Sequence, residues 1–362
     1  NIVIMTLGLC MIVKNESEVL ERVLENAKIF ADEIVIVDTG SNDNTVEIAK
    51  KITAKVYSYE WNDDFSAARN YALSKVTSDY WMWLDADDIV PQETAKGIAE
   101  FIAQADGSVD FVMLPYTVSM TQDGKPLFSY YRERIVKNNR KFYWQGFVHE
   151  AVVPSGNIIK LSYPIVHDKP KGRSSGTRNL DIYRKNIALG FVLSAREKYY
   201  YARELYYNGF ISDAIVQFND FINMEDGFYV NKIDACKMLA NCYIQIKDLK
   251  SALSIAFHSF VYGLPTGEVC CKIGEIYMAY NDYVKAIYWY ECAIRLKPDI
   301  NSGSFIDYSA YGIIPYIWLT VCYDKIGDYD KAYYYHKQAR MLEPDNSSVV
   351  SNQKYFERLG YN

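Results

Sequence analysis

The stretch Trp81-Met82-Trp83-Leu84-Asp85-Ala86-Asp87-Asp88 is an apolar, aromatic run that ends abruptly in three carboxylates around one alanine. The run reads as a buried strand. Side chains two apart on a strand face the same way, so Asp85 and Asp87 are expected to share one space, with Ala86 turned away. Two hard oxygen ligands at the carboxyl end of a parallel strand suit Mg²⁺ or Mn²⁺ that also holds substrate phosphates. An ordinary solvated turn is the plain alternative, and the surrounding sequence decides between the two.

Outward from this stretch, residues 1 to about 120 alternate short apolar runs with helical patterns. Strands are expected over Met5–Val13, Ile34–Asp38, Lys55–Tyr59, Trp81–Asp85 and Asp110–Thr117. Helices are expected over Glu16–Lys28, Thr45–Lys51, Phe65–Lys75 and Pro91–Ala103, with Pro91 at a first helical position. This βαβα order implies an α/β domain with a mostly parallel, Rossmann-like sheet, whose ligands gather at the carboxyl ends of the strands. Residues 120–170 read as shorter antiparallel pieces: Phe128–Val136, Lys141–Trp144 and Ile158–Leu161. The polar stretch Lys169–Gly176 reads as a mobile loop or linker.

From about residue 195 the pattern changes to an all-α repeat. Gly274, Tyr277, Ala286, Tyr290, Ala293 and Pro298 fit the spacing of the 34-residue tetratricopeptide unit, and Leu319, Tyr323, Ala332, His336, Ala339 and Pro344 repeat it. Weaker copies lie at Leu239, Ala240, Tyr243 and Ala252, and at Tyr201, Ala202, Ala214 and Phe218, with an insert around Asp299–Gly312. Such stacks rarely carry chemistry and usually present a concave binding surface. Most of the 33 tyrosines are expected to pack between helices.

Lys+Arg 39 against Asp+Glu 45 gives a net charge of -6, which argues against a general nucleic-acid binder. A phosphate-bearing substrate would then need local Arg or Lys, or a bound cation. The odd number of cysteines, seven, without C-x-x-C spacing speaks against a disulfide framework or a zinc site and for a reducing, cytoplasmic setting. No apolar stretch approaches the ~20 residues that span a bilayer.

Four clusters in the first half point to one site. They are Cys10-Met11-Ile12-Val13-Lys14-Asn15-Glu16, then Asp38 before the turn Thr39–Thr45, then Trp61-Asn62-Asp63-Asp64-Phe65-Ser66 with Arg69-Asn70, then Asp85-Ala86-Asp87. Asp38, at a strand end, could accept hydrogen bonds from a base or ribose. Arg69, one turn into a helix, could meet a nucleotide or orient a carboxylate. Helix caps, turns and surface ion pairs are the plain readings of each cluster taken singly.

In this order and spacing, the clusters resemble the family-2 glycosyltransferases of the GT-A fold over roughly residues 5–170. The resemblance is greatest to bacterial members with tetratricopeptide repeats after the catalytic domain, such as the sublancin-type peptide S-glycosyltransferases. Gly146-Phe147-Val148-His149-Glu150 and Val166-His167 belong to the same likeness. It implies a GT-A domain over residues 1–175, a linker or helix over 176–198 and repeats over 199–362. It also implies a UDP-sugar donor, Mn²⁺ or Mg²⁺, and inversion at the anomeric carbon. Val13, Asn15, Glu16, Asp38, Arg69, Asp85 and Ala86 would line the nucleotide-sugar, and Lys171 and Arg178 would close over the diphosphate. Asp85, Asp87 and His167 would hold the metal. Glu150 would be the general base, with His149 either its substitute or an orienting neighbour.

The repeats suggest a polypeptide acceptor, modified at Ser, Thr or Cys. A saccharide or lipid-linked acceptor, with the repeats pairing two chains into a homodimer, is the rival. A non-catalytic tetratricopeptide adaptor is a further one, disfavoured by the intact Asp-x-Asp and Arg69. Processive polysaccharide synthases share the fold but carry membrane helices and a Gln-x-x-Arg-Trp motif, and this sequence contains neither.

Overall fold

The computed structural model describes residues 4–120, 126–168 and 176–361. The chain divides into two compact units, Asn1–Val192 and Leu193–Asn362. The segment 176–198, expected as linker or helix, contains a helix (Arg178–Ala188) that belongs to the first unit.

Four strands of the first unit, β1 (Leu7–Val13), β2 (Glu33–Asp38), β3 (Val56–Ser58) and β4 (Tyr80–Trp83), lie in the order β3-β2-β1-β4 and pair in parallel. The helices between them are α1 (Leu20–Ala27), α2 (Thr45–Ile52) and α3 (Phe65–Leu73). Beyond β4 the sheet continues β7-β6-β11-β5, where β5 is Asp88–Ile89, β6 Phe111–Met120, β7 Pro126–Lys137 and β11 Ile165–His167. Helix α4 (Gln92–Gln104) follows β5, and α5 (Arg178–Ala188) ends the set. Pro91 sits just outside α4, at its cap with ψ 151, rather than at the first helical position.

Strand periodicity sorts β4 between two cores. Tyr80, Met82 and Leu84 join α1 and α4 on one face, while Trp81 and Trp83 join Ala72 of α3 on the other. Both faces are covered, which is why the strand sequence is apolar at every position.

The segment expected to be antiparallel is mixed. β7 runs antiparallel to β4 and β6, but β10 (Ile158–Lys160) and β11 run parallel to β6. A short hairpin of β8 (Trp144–Gln145) and β9 (Ala151–Val152) intervenes between β7 and β10. Only Trp144 of the expected strand Lys141–Trp144 pairs.

The second unit is four helical hairpins: α6/α7 (Ala195–Tyr207, Ile211–Ile222), α8/α9 (Tyr229–Gln245, Leu249–His258), α10/α11 (Gly267–Ala279, Tyr283–Arg295) and α12/α13 (Ile313–Lys325, Tyr329–Leu342). Helix α14 (Ser347–Arg358) follows. Every hairpin turns through a left-handed residue: Gly209, Lys247, Asn281 or Gly327. The next residue's N–H then reaches back five places, from Phe210 to Leu205, Asp248 to Tyr243, Asp282 to Tyr277 and Asp328 to Tyr323, at 2.9–3.0 Å. This is the Schellman closure of a helix end. In three hairpins the same aspartate also caps the following helix. The repeated turn identifies the two weaker sequence copies as readily as the two strong ones. Gly274 is required by packing, since a Cβ there would lie 2.8 Å from the ring of Tyr290. His336, in an aromatic position of the frame, is buried and bonds Gln353 at 2.9 Å, a structural role. Among the described residues, no helix is long and apolar enough to cross a membrane.

The end of the first sheet opposite the strands' carboxyl termini is fastened by Glu33. Its carboxylate accepts from Thr77 N–H, Ser78 N–H and Ser78 Oγ at 2.7–2.9 Å and pairs with Lys55. Burial pushes this carboxyl up, but Lys55 and the donors outweigh it and hold it at about 2, against an ordinary 4.5. A depressed folded-state pKa stabilises fully above the unfolded value and is lost as pH falls through the folded one. Wild-type protein should therefore lose ~2 kcal/mol of this contribution between pH 4.5 and 2, discounted for nearby solvent. Urea titrations of Glu33→Gln should show a flatter acid limb than wild type, and coincident limbs would contradict the assignment.

Candidate active site

The carboxyl ends of β1 and β4 open on a cleft of about 630 Å³. Of the residues singled out from sequence, Val13, Asn15, Glu16, Arg69, Asp85, Ala86, Asp87, His149, Glu150, His167 and Arg178 line it. Asp38 is set back: its carboxylate accepts the N–H groups of Gly40 and Ser41 at 3.1–3.2 Å, and Thr39 lines the cleft beside it. Lys171 lies outside the described residues, as does most of the expected loop Lys169–Gly176.

The loops after β1 and β2 are laced together. Ser41 Oγ accepts Asn15 N–H at 2.9 Å, Asn15 Oδ1 accepts Asn42 N–H at 2.9 Å, and Thr45 Oγ1 accepts Glu16 N–H at 2.7 Å. Asn15 takes a left-handed conformation, φ 55, to make this turn. Two of the sequence clusters are thus the two halves of one rim.

The acidic motif is a turn. β4 stops at Trp83, Asp88 N–H donates to Asp85 O at 3.0 Å, and Asp85 N–H donates to Asp88 Oδ2 at 3.0 Å. Asp85 and Asp87 both reach the cleft, but a turn rather than strand alternation puts them there. Ala86 is not turned away; it lines the cleft as well.

Asp88 then begins β5, which pairs with β11 so that His167 lies opposite Asp88. Asp168 N–H also donates to Asp87 O at 2.9 Å. This backbone pairing carries the histidine to the carboxylates. Ligand atoms of Asp87, Asp88 and His167 all lie within 4.8 Å of one another. His167 Nδ1 is 3.5 Å from Asp87 and 3.6 Å from Asp88, ion-pair separations longer than a hydrogen bond. The atom is buried and has no hydrogen-bond partner among the described residues. An orphaned imidazole nitrogen facing two carboxylates is a donor set that fits a divalent cation.

Electrostatics agree with that fit. Burial raises the Asp87 carboxyl; His167 opposes the rise, and the carboxylates of Asp85 and Asp88 add to it. Asp88 raises the His167 pKa most, against burial and with help from Asp87. Asp85 is offset by Arg69 and Asp88 by Arg134, which leaves Asp87 and His167 facing one another at the cleft.

Sequence reasoning missed Asp88 and Arg134. Asp88 is fully buried, and its oxygens accept from Arg134 Nη1 at 3.0 Å and Tyr116 OH at 2.9 Å. Burial pushes its carboxyl up, but Arg134, His167, Asp85 N–H and Tyr116 together hold it below its ordinary value. With its oxygens shared this way, Asp88 braces the turn, and Asp87 and His167 are the members of the group that face the cleft. Arg134 is completely buried, with its guanidinium 3.8 Å from the Trp83 ring centroid and 4.4 Å from that of Tyr116. The signal for it was an arginine within the expected strand Phe128–Val136, directly before Ile135-Val136, where a buried guanidinium needs a carboxylate.

Arg69 is the second organising charge. It is 7% exposed, donates from Nε to Glu150 at 2.5 Å and from Nη2 to Asp85 at 2.7 Å, and lies against the edge-to-face pair of Trp83 and Trp144, 5.0 and 4.9 Å from their centroids. Burial would push its pKa down; Asp85 and Glu150 outweigh that and hold it above its ordinary value. Asp85 is therefore committed to Arg69 by one oxygen, and it is not part of the compact Asp87–Asp88–His167 group.

Glu150 sits at the end of the β8–β9 turn, where Gly146 (φ 97) and His149 (φ 54) are left-handed. Helix α3 grips this hairpin: the Asn70 side chain donates to Trp144 O at 2.9 Å and accepts Trp144 N–H at 2.8 Å, and Phe65 N–H donates to Phe147 O at 3.0 Å. Tyr183 of α5 donates to Val148 O at 3.3 Å. Asp64 caps α3 by accepting Ala67 N–H at 2.9 Å. Trp61–Asn70 and Gly146–Glu150 are thus one mechanical unit that presents Arg69 and Glu150. Cys10, beneath the cleft, is no nucleophile, because burial pushes its thiol up to about 12.

Residues 9–153 match the family model described as Glycosyl transferase family 2. A "TPR repeat-containing protein" of Synechococcus elongatus is 36% identical over 43% of this chain and 38% of its own length. The "SPbeta prophage-derived glycosyltransferase SunS" of Bacillus subtilis is 32% identical over 42% of this chain and 36% of its own. The chain thus spans less than two fifths of the length of these curated relatives. The crystal structure of S. aureus TarS is similar with a TM-score of 0.40 and 18% identity, over 69% of this chain and 55% of that one.

Asn70→Ala would remove both bonds to Trp144 and free the hairpin that carries Glu150. Urea unfolding should show a loss of about 1–3 kcal/mol. Hydrogen exchange at residues 144–152 should accelerate selectively. Wild-type stability and exchange would contradict the clamp.

Proposed function

We propose that this family-2 domain transfers a hexose or N-acetylhexosamine from a UDP-sugar to a Ser, Thr or Cys side chain of a polypeptide, with inversion at the anomeric carbon. What carries the reading is the meeting, in one cleft, of the Asp87–Asp88–His167 group with Glu150 held by Arg69. Asp87 and His167 would hold Mn²⁺ or Mg²⁺, with Asp88 bracing the turn. Bound there, the ion supplies positive charge to the donor's diphosphate, which a chain of net charge -6 needs.

The protein's own groups do the rest. The rim of Val13, Asn15, Glu16 and Thr39 receives the nucleoside, with Asp38 shaping it from behind. Arg69 fixes the Glu150 carboxylate by one oxygen and so sets where the base stands. Glu150 takes the proton of the acceptor hydroxyl or thiol as that atom attacks. A thiol, with an ordinary pKa near 8.5, needs less of this help than a hydroxyl. His149, held beside Glu150 by the same strained turn, orients the acceptor or shares the proton. The helical hairpins of the second unit offer a surface for an extended polypeptide.

The test combines protein mass spectrometry with UDP titration. Incubation of the enzyme, a UDP-sugar, Mn²⁺ and host proteins should add the mass of one hexose or N-acetylhexosamine to a polypeptide. Asp87→Ala should lower the rate at least about 100-fold and abolish the Mn²⁺-dependent gain in UDP affinity. Modification of saccharide or lipid acceptors alone would refute the polypeptide assignment. UDP affinity indifferent to Mn²⁺ would refute the metal site.

A further inference from the structure

One tyrosine touches both the buried and the cleft-facing members of the acidic group. Tyr116 lies on β6, is 6% exposed, and pairs with Ile165 at the start of β11, the strand that carries His167. Its ring packs against the imidazole of His167, with centroids 5.7 Å apart and planes at 56°. Its hydroxyl donates to Asp88 Oδ1 at 2.9 Å. Tyr116 does not itself line the cleft.

The two oxygens of Asp88 have different partners. Oδ2 accepts from Arg134 Nη1 and from Asp85 N–H, both at 3.0 Å. Among the described residues, Oδ1 accepts only from Tyr116. Oδ1 is also the oxygen 3.6 Å from His167 Nδ1, just outside hydrogen-bond reach. A carboxylate oxygen accepts more than once. If Asp88 were free to turn, Oδ1 could close that gap and accept an N–H from the imidazole. The ring's proton would then settle on Nδ1, and a nitrogen that carries a proton is no ligand. The Tyr116 hydroxyl holds Oδ1 while Arg134 and the Asp85 N–H hold Oδ2, so the carboxylate is fixed from both ends. Nδ1 stays buried and without a hydrogen-bond partner among the described residues, 3.5 Å from Asp87 Oδ1.

We propose that Tyr116 is a positioning residue for the cation site, restraining Asp88 so that His167 Nδ1 remains open to a divalent ion beside Asp87. This rests on the metal reading above. The ring and the hydroxyl contribute separately: the ring backs the imidazole, and the hydroxyl restrains the carboxylate. Phenylalanine keeps the first and removes the second.

Two measurements on the full chain test the assignment. One is Mn²⁺ titration in the presence of UDP, followed by electron paramagnetic resonance of the free ion. The other is the nitrogen resonances of the histidine rings without metal, at a mildly alkaline pH where the imidazole is neutral. The chain has four histidines, and His167 is identified by its loss in His167→Gln. Tyr116→Phe should weaken Mn²⁺ about 10-fold or more. It should also move His167 Nδ1 from the resonance of a bare nitrogen toward that of an N–H, with His258 and His336 unmoved. Glu33→Gln, at the opposite end of the sheet, should bind Mn²⁺ as wild type does. Wild-type Mn²⁺ affinity or wild-type His167 resonances in Tyr116→Phe would overturn the proposal, as would an equal loss of Mn²⁺ in Glu33→Gln. Wild-type protein that binds no Mn²⁺ would instead sink the metal reading on which the proposal stands, a result distinct from these.

Discussion

A guanidinium buried against two indoles must bring its counter-charges with it. Arg69 satisfies that requirement with Asp85 from the turn after β4 and Glu150 from the turn after β8. Removing one member of such a buried pair typically costs about 3–5 kcal/mol, because the other is left uncompensated. The constraint therefore reaches well beyond one ion pair. It ties α3 to the β8–β9 hairpin and to the start of the acidic turn. Asn70, one residue on, locks the same hairpin through backbone bonds.

Trp83 stands between this charge cluster and a second one. On one side is Arg69 with Asp85 and Glu150; on the other is Arg134 with Asp88, Tyr116 and His167. The side chain that ends the central parallel strand thus lies against the arginines of both groups. An aromatic face serves here because it stabilises cations without consuming their hydrogen-bond donors.

Much of this was legible in the sequence, for identifiable reasons. Buried parallel strands are apolar throughout, so Leu9–Val13, Val35–Val37 and Trp81–Trp83 announced themselves. The spacing from Asp38 through Arg69 to Asp85 reflects the repeating strand–helix unit that brings successive strand ends to one edge. The repeat frame was readable because small residues such as Gly274 are dictated by close approach to a ring. The remainder depended on long-range pairing. That β11 runs beside β5, placing His167 opposite Asp88, follows from register and not from local pattern. The parallel course of β10 and β11 was hidden for the same reason. The roles of Asp88 and Arg134 required knowing that two distant residues neutralise each other in a dry interior. Turn geometry also displaced a simpler expectation: β4 ends at Trp83, so strand alternation does not govern Asp85–Asp87.

The central claim is that Arg69 and Glu150 act as one unit. A double-mutant cycle on kcat measures this directly, using Arg69→Lys, Glu150→Gln and the pair together. If Arg69 works by holding Glu150, the double variant will be no slower than the slower single variant. Rate losses that multiply would show two independent contributions and contradict the account.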